Sequence, residues 1–495
     1  MSVSHLVSRA GVGVDAPEVL VETHLSPGLP GVNIVGLPEA AVRESRDRVR
    51  SAIANSGFEF PQRRITINLA PADLPKHGSR FDLAIALGIL HASKQLGTID
   101  PSALEFCGEL ALDGSLRPVI GILPVALGSL RSGRQLICAS ANAEEASISG
   151  AELLPAPSLL AVCQHLTGQQ RLSAVDMTPP VAAASTSLCL SQVRGQLQAK
   201  RALEIAAAGR HSLLFCGSPG SGKSMLAQRL PGLLPPLDQA QALAVASLYS
   251  LTRARPLHDF YLPPFRHPHH SASAIALVGG GSNPRPGEVS LAHQGVLFLD
   301  ELPEFDRRVL EGLREPMETG EVCISRAARQ AHFPADFQLV AAMNPCPCGY
   351  LGDAEKGCGY FCEKARRYQQ KLSGPLLDRI DLHVDVPAIK ADELLAQPEG
   401  ESSTCVQARV LAARNRQLVR QGCLNSQLDG KRLQQELGEL NVWLAQVVER
   451  LRLSARAVHR SIRVARTLAD LAGEEHVTQA HLKEALGFRS NLMQK

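Results

Sequence analysis

Gly217-Ser218-Pro219-Gly220-Ser221-Gly222-Lys223-Ser224 places three glycines, a lysine and a hydroxyl at the spacing G-x-x-x-x-G-K-[ST]. Glycines let a backbone fold around an anion with several N–H groups pointing inward. Lys223 adds a charge for β- and γ-phosphates, and Ser224 offers a hydroxyl to Mg²⁺. Further on, Gly295-Val296-Leu297-Phe298-Leu299-Asp300-Glu301 delivers two acids at the end of an apolar run. Asp300 is suited to the Mg²⁺ shell, and Glu301 to orienting and deprotonating a water. Phosphoryl transfer asks mainly for positioning and charge neutralisation, so one cation-holding acid and one base are the minimum set. A third apolar run, Gln338–Met343, ends in Asn344. An amide there bonds both a γ-phosphate and a water without adding repulsive charge, although an Asn before Pro345 is also a turn former.

These groups need elements to hold them. Ser212–Cys216 reads as a short buried strand, and Lys223–Leu230 as a helix start. That strand, loop and helix order is the context of a genuine phosphate loop. The runs before Asp300 and Asn344 read as buried central strands, whose C-terminal ends face the ligand side of a parallel sheet. Upstream, Val32–Val35 and Ile65–Leu69 read as strands and Glu39–Ala54 as a helix. The helix sets Val42, Val49 and Ile53 on one side. Arg43, Arg46, Arg48 and Arg50 lie largely on the other, either a nucleic-acid face or a solvated face paired with Glu39, Glu44 and Asp47. Downstream of Ser403 the pattern is helical to the end of the chain.

The chain has 495 residues, enough for about three domains. Its net charge is +3, so any nucleic-acid surface must be local. No apolar run reaches the ~18 residues of a membrane span. The start does not read as a secretory leader, and the 12 cysteines are scattered, which points to a reducing cytoplasm and free thiols. The exception is Cys346-Pro347-Cys348 with Cys358 and Cys362, in one Gly-rich loop. These four thiols either close a structural zinc site or stay free. His267, His269 and His270 suggest a metal site, but Pro268 among them argues for a loop, and they read as structural or interface residues.

Glu321–Pro334 reads as a β-hairpin, with Arg326 and Arg329 near its tip. They would serve either as phosphate donors to nucleic acid or as partners of acids within the subunit. Ala272–Pro286 is apolar and then glycine-rich.

Three elements in this order, with these gaps, resemble an AAA+ ATPase of the magnesium-chelatase and MCM-helicase branch. More narrowly, Phe265–Phe305 and Leu372–Val384 resemble the magnesium-chelatase-like ATPases of the ComM/YifB family. The resemblance extends over nearly the whole chain. It implies a multidomain α/β protein: a Lon-protease-like α+β domain at 1–170, a linker at 171–190, a P-loop core with a parallel sheet at 191–390, and a helical lid at 400–495. It implies that Arg379 is an arginine finger for a neighbouring subunit's ATP, the alternative being an ion pair with Asp378 or Asp381. It implies that Arg456 touches the γ-phosphate, the alternative being a surface arginine beside Arg460 and Arg463. Val193–Gln196 resembles the segment that flanks the base. ATP and Mg²⁺ follow as cofactors, and a hexamer as the assembly.

Pro75–Ser79 and Gly108–Val119 resemble the Lon proteolytic fold, whose enzymes use a Ser–Lys dyad. Here Arg80 stands at the Ser position and Val125 at the Lys position, so the resemblance implies the fold without peptidase activity. The function implied is a hexameric DNA motor that promotes branch migration in natural transformation. The alternative is a chelatase-type chaperone that remodels a partner during metal insertion.

Overall fold

A computed structural model describes residues 3–175, 188–252, 255–281, 284–326, 329–351, 358, 363–389, 400–451 and 453–489. Most of the expected 171–190 linker lies outside these. The chain divides into two units: Met1–Ala182 with Gln239–Phe260 and Ser325–Phe333, and Ala183–Asp238 with Tyr261–Ile324 and Pro334–Lys495. Among the described residues, no helix is long and apolar enough to cross a membrane.

The first unit contains strands β1 (Val3–Arg9), β2 (Glu18–Ser26), β3 (Gly31–Val35), β4 (Arg64–Ala70), β5 (Leu104–Cys107), β6 (Glu109–Leu110), β7 (Leu116–Arg117), β8 (Gln135–Ala139) and β9 (Leu153–Ala156). Seven form a mixed sheet in the order β3-β4-β2-β1-β5-β8-β9, antiparallel where β2 meets β1 and β4. Residues of β2 and β4 alternate buried and partly exposed, so one face seats the core. Against it lies helix Asp82–Ala92, apolar all round and buried at nearly every position. Helix Ala40–Asn55 buries Val42, Val49 and Ile53, as its periodicity predicts. Its arginines behave individually. Arg46 pairs with the neighbouring Asp47, Arg50 lies over the Phe60 ring, and Arg48 reaches the buried Asp82 at 2.9 Å. Burial lifts the Asp82 carboxyl to about 6 even though Arg48 opposes it. At the positions where a dyad would stand, Val125 is buried and Arg80 donates to the Ile120 carbonyl. Ser79 donates to the Glu109 carboxylate, and Lys76 is buried with its amine on the Pro71 carbonyl.

The second unit contains β10 (Leu213–Cys216), β11 (Phe265–Arg266), β12 (Gly279–Gly280), β13 (Arg285–Pro286) and β14 (Val296–Leu299). It continues with β17 (Gln338–Met343) and β18 (Leu382–Asp385), while β15 (Glu321–Arg326) and β16 (Arg329–Pro334) pair as the expected hairpin, of which Ser325–Phe333 is counted with the first unit. Five strands make a wholly parallel sheet in the order β11-β14-β17-β10-β18. Every residue of β10, β14 and β17 is buried. Covered on both faces, such strands read as unbroken apolar runs, which is why the sequence betrays them. Helices Leu197–Gly209, Ser403–Gln421, Ala455–Ala472 and Gln479–Gly487 share one core with the sheet. The fold is therefore mixed α/β with a parallel sheet and a helical C-terminus.

Candidate functional site

The phosphate-loop motif turns between β10 and helix Lys223–Ala227. Glycine is required at 217, because a Cβ there would lie 2.2 Å from the Val386 carbonyl oxygen. Gly222 has φ +93°, a conformation that side chains resist. Pro219 and Gly220 are exposed, while Ser221 is buried and its hydroxyl has no hydrogen-bond partner among the described residues. Gln196, in the segment expected to flank the base, donates to the Ser221 carbonyl at 3.3 Å and the Pro387 carbonyl at 2.7 Å.

Strand order decides what meets the loop. β17 runs between β10 and β14, so Asn344 emerges between the loop and the two acids. Lys223 Nζ donates to Asn344 Oδ1 at 3.0 Å and to the Gly217 and Ser218 carbonyls at 2.8 and 3.0 Å. Burial pulls the Lys223 amine down from its ordinary value, with Asp300 opposing. Ser224 donates its hydroxyl to the Asp300 carboxylate, whose other oxygen accepts the Glu301 N–H at 2.9 Å. Glu301 sits at φ +52°, a left-handed conformation that a non-glycine residue adopts at a cost. Its exposed carboxylate lies 3.2 Å from His270 Nδ1. The loop, Lys223, Ser224, Asp300, Glu301 and Asn344 thus stand together. Sequence reasoning missed the place of His270 beside Glu301, having left it as a structural or interface residue.

Arg379 and Arg456 form a second group. Both direct Nη2 at Glu318 Oε1, Arg456 from 3.9 Å. Arg379 also donates to the Pro375 carbonyl at 2.8 Å. Neither Asp378 nor Asp381 is its partner. Asp381 instead binds Arg460 at 2.6 Å and accepts the Ser212 N–H at 3.0 Å. Burial opposes ionisation of Asp381, but Arg460 and His211 outweigh it and hold the carboxyl well below the usual range. Glu318 carried no sequence signal, since its partners lie far along the chain.

Cys346 Sγ lies 3.1 Å from Cys348 Sγ and 3.8 Å from Cys358 Sγ. A tetrahedron with Zn–S bonds of ~2.3 Å has edges of about 3.8 Å, so the second distance suits a thiolate zinc site and the first is short for one. Cys362 lies outside the described residues. The same loop touches the phosphate loop: a Cβ on Gly349 would fall 2.2 Å from Pro219 Cδ. Arg326 and Arg329 end β15 and begin β16, and their side chains lie outside the described residues.

The family model described as magnesium chelatase, subunit ChlI, matches residues 189–394. Its C-terminal counterpart matches 400–489, and one described as subunit ChlI of Mg-chelatase matches 21–142. The competence protein ComM of Haemophilus influenzae is 49% identical across 100% of this chain and 99% of its own length. This chain belongs to the ComM/YifB family. YifB of Escherichia coli is 49% identical over 99% of the chain and 97% of its own length. The magnesium-chelatase 38 kDa subunit of Cereibacter sphaeroides is 28% identical over only 40% of the chain and 58% of its own length. The ComM/YifB family is a magnesium-chelatase-like AAA+ family, which implies use of ATP and Mg²⁺. The donor set fits both: the glycine-rich loop's N–H groups and an amine for phosphate, and a hydroxyl against a carboxylate for the cation.

Proposed function

We propose that this chain is an ATP-hydrolysing ring motor that acts on DNA, a hexameric helicase promoting branch migration as incoming DNA recombines. The observation that carries the ATPase part is β17 lying between β10 and β14, with Asn344 hydrogen-bonded to Lys223 and Ser224 to Asp300. The DNA part rests on the full-length similarity to a competence protein.

In this reading the loop N–H groups and Lys223 bind the phosphates. Ser224 and Asp300 would hold Mg²⁺, which when bound neutralises phosphate charge. Glu301 takes the proton of the attacking water. Its pairing with His270 sets where that carboxylate rests between turnovers. Asn344 orients the water, and Arg379 and Arg456 serve the nucleotide held by the adjacent copy. Arg326 and Arg329 are the hairpin's phosphate contacts. The N-terminal domain is Lon-like, with no peptidase role, and the cysteine loop holds a structural zinc. A chelatase-type chaperone is the second reading, favoured by the magnesium-chelatase match to the core.

The test measures ATP turnover with single-stranded, duplex and four-way-junction DNA at two salt concentrations, together with junction migration. Stimulation by DNA that weakens with salt, with migrated product, is expected. Active ATPase with no effect on any DNA, but tight porphyrin binding, would move the assignment to the chaperone.

A further inference from the structure

The second arginine group encloses a cavity of about 180 Å³ lined by Glu318, Arg379, Arg456, His459, Arg460 and Arg463. Two of the cations are already engaged. Arg460 is held by Asp381 at 2.6 Å, and Arg463 donates to the Leu428 carbonyl at 2.9 Å. Arg379 gives Nη1 to the Pro375 carbonyl at 2.8 Å but turns its Nη2, with that of Arg456, on one oxygen of Glu318. Two guanidiniums converging on a point repel each other unless an anion sits there. In the subunit by itself that anion is a carboxylate from the same chain. Its side chain is half exposed, whereas that of Arg379 is 9% exposed, so the acid is the part free to leave.

The place of Glu318 in the chain supplies a way to withdraw it. It belongs to helix Pro316–Thr319, which runs into β15 through Gly320. Thr319 Oγ1 donates to the Glu321 carbonyl at 3.0 Å, and the Ala335 N–H donates to the Gly320 carbonyl at 2.7 Å. The base of the hairpin is therefore hydrogen-bonded to the end of the helix that carries the acid.

We propose that Glu318 is an internal plug in a phosphate seat made by Arg379 and Arg456, drawn out when the β15–β16 hairpin is loaded. The seat would take the terminal phosphate of a nucleotide on a neighbouring copy, a part that rests on the motor reading above. The seat and its plug do not depend on that reading.

Inorganic pyrophosphate tests the seat directly. Full-length protein carrying Lys223→Ala, which disables the phosphate loop, is titrated calorimetrically with and without Glu318→Gln. The second substitution should tighten pyrophosphate binding by about tenfold, and adding Arg379→Ala should abolish the gain. Glu318→Ala should reproduce the gain, which separates loss of the charge from a folding defect. Unchanged affinity in both Glu318 variants overturns the plug, as does a gain that survives Arg379→Ala. In the otherwise unaltered chain, Glu318→Gln should raise DNA-free ATP turnover several-fold and shrink stimulation by DNA. A fall in turnover would make Glu318 a support for Arg379 and overturn the plug. Failure of the unaltered chain to hydrolyse ATP would sink the motor reading, with the pyrophosphate comparison still deciding on the seat.

Discussion

Lys223 already makes three hydrogen bonds, two to carbonyls of its own loop and one to Asn344, so phosphate binding exchanges partners for a group that is already placed. Removing the amine deletes charge-assisted bonds worth ~1.5–3 kcal/mol each. Lys223→Ala should therefore weaken ATP binding by roughly 10–100-fold or more in a fluorescent-nucleotide titration. Glu301→Gln keeps the shape and loses the base. It should leave nucleotide affinity within about twofold while turnover falls by ~10²–10⁴. The residues behind these predictions were legible in the sequence because each is local to a motif: a loop after one apolar run, acids after a second, an amide after a third. Glu318 and His270 were not legible. Each acts through a partner that only the folded chain brings near, and a glutamate in a short helix looks like any solvated acid.

At the scale of elements, the sheet hides titratable groups that the strands cannot do without. His293 precedes β14 and accepts the Asp336 N–H on Nδ1 at 3.1 Å, a bond that requires this nitrogen unprotonated. Burial pushes its pKa down to about 4, with Asp336 opposing and Arg210 assisting. His383 in β18 is likewise pushed to about 4, by burial first and then by Arg489. An unfolded histidine titrates near ~6.5. Between that value and about 4 the unfolded chain binds protons that the folded chain refuses, so stability falls as pH drops through this window and levels off below it. Each histidine contributes up to about 3 kcal/mol of this loss. Urea unfolding of the full chain at pH 7 and pH 5 should show the drop, which the raised Asp82 carboxyl partly offsets, and His293→Gln should remove about half of the histidine contribution. The strands that bury these histidines were readable because two covered faces leave an unbroken apolar run. The hairpin over Glu321–Pro334, ahead of the Asn344 strand, was readable too. The membership of Gln239–Phe260 in the first unit was not, because packing between distant segments leaves no period in the chain.

At the scale of the whole molecule, the proposed ring divides one reaction between two copies, with Glu301 beside the nucleotide on one and Arg379 reaching from the next. Each single variant, Glu301→Gln or Arg379→Ala, should be nearly inactive alone. Mixed, they should recover part of the wild-type turnover, because some interfaces then pair an intact base with an intact arginine. No recovery at any mixing ratio would place both groups in a site within one copy. The contact of Gly349 with Pro219 carries a practical consequence. The loop bearing Cys346 and Cys348 rests on the tip of the phosphate loop, so chemistry at sulfur reaches the nucleotide through a proline ring. Preparations in which air oxidises these thiols should lose ATP affinity together with any bound zinc, and a reducing agent with zinc resupplied should bring the affinity back. Storage buffer, and not only sequence, would then decide whether two laboratories measure the same enzyme.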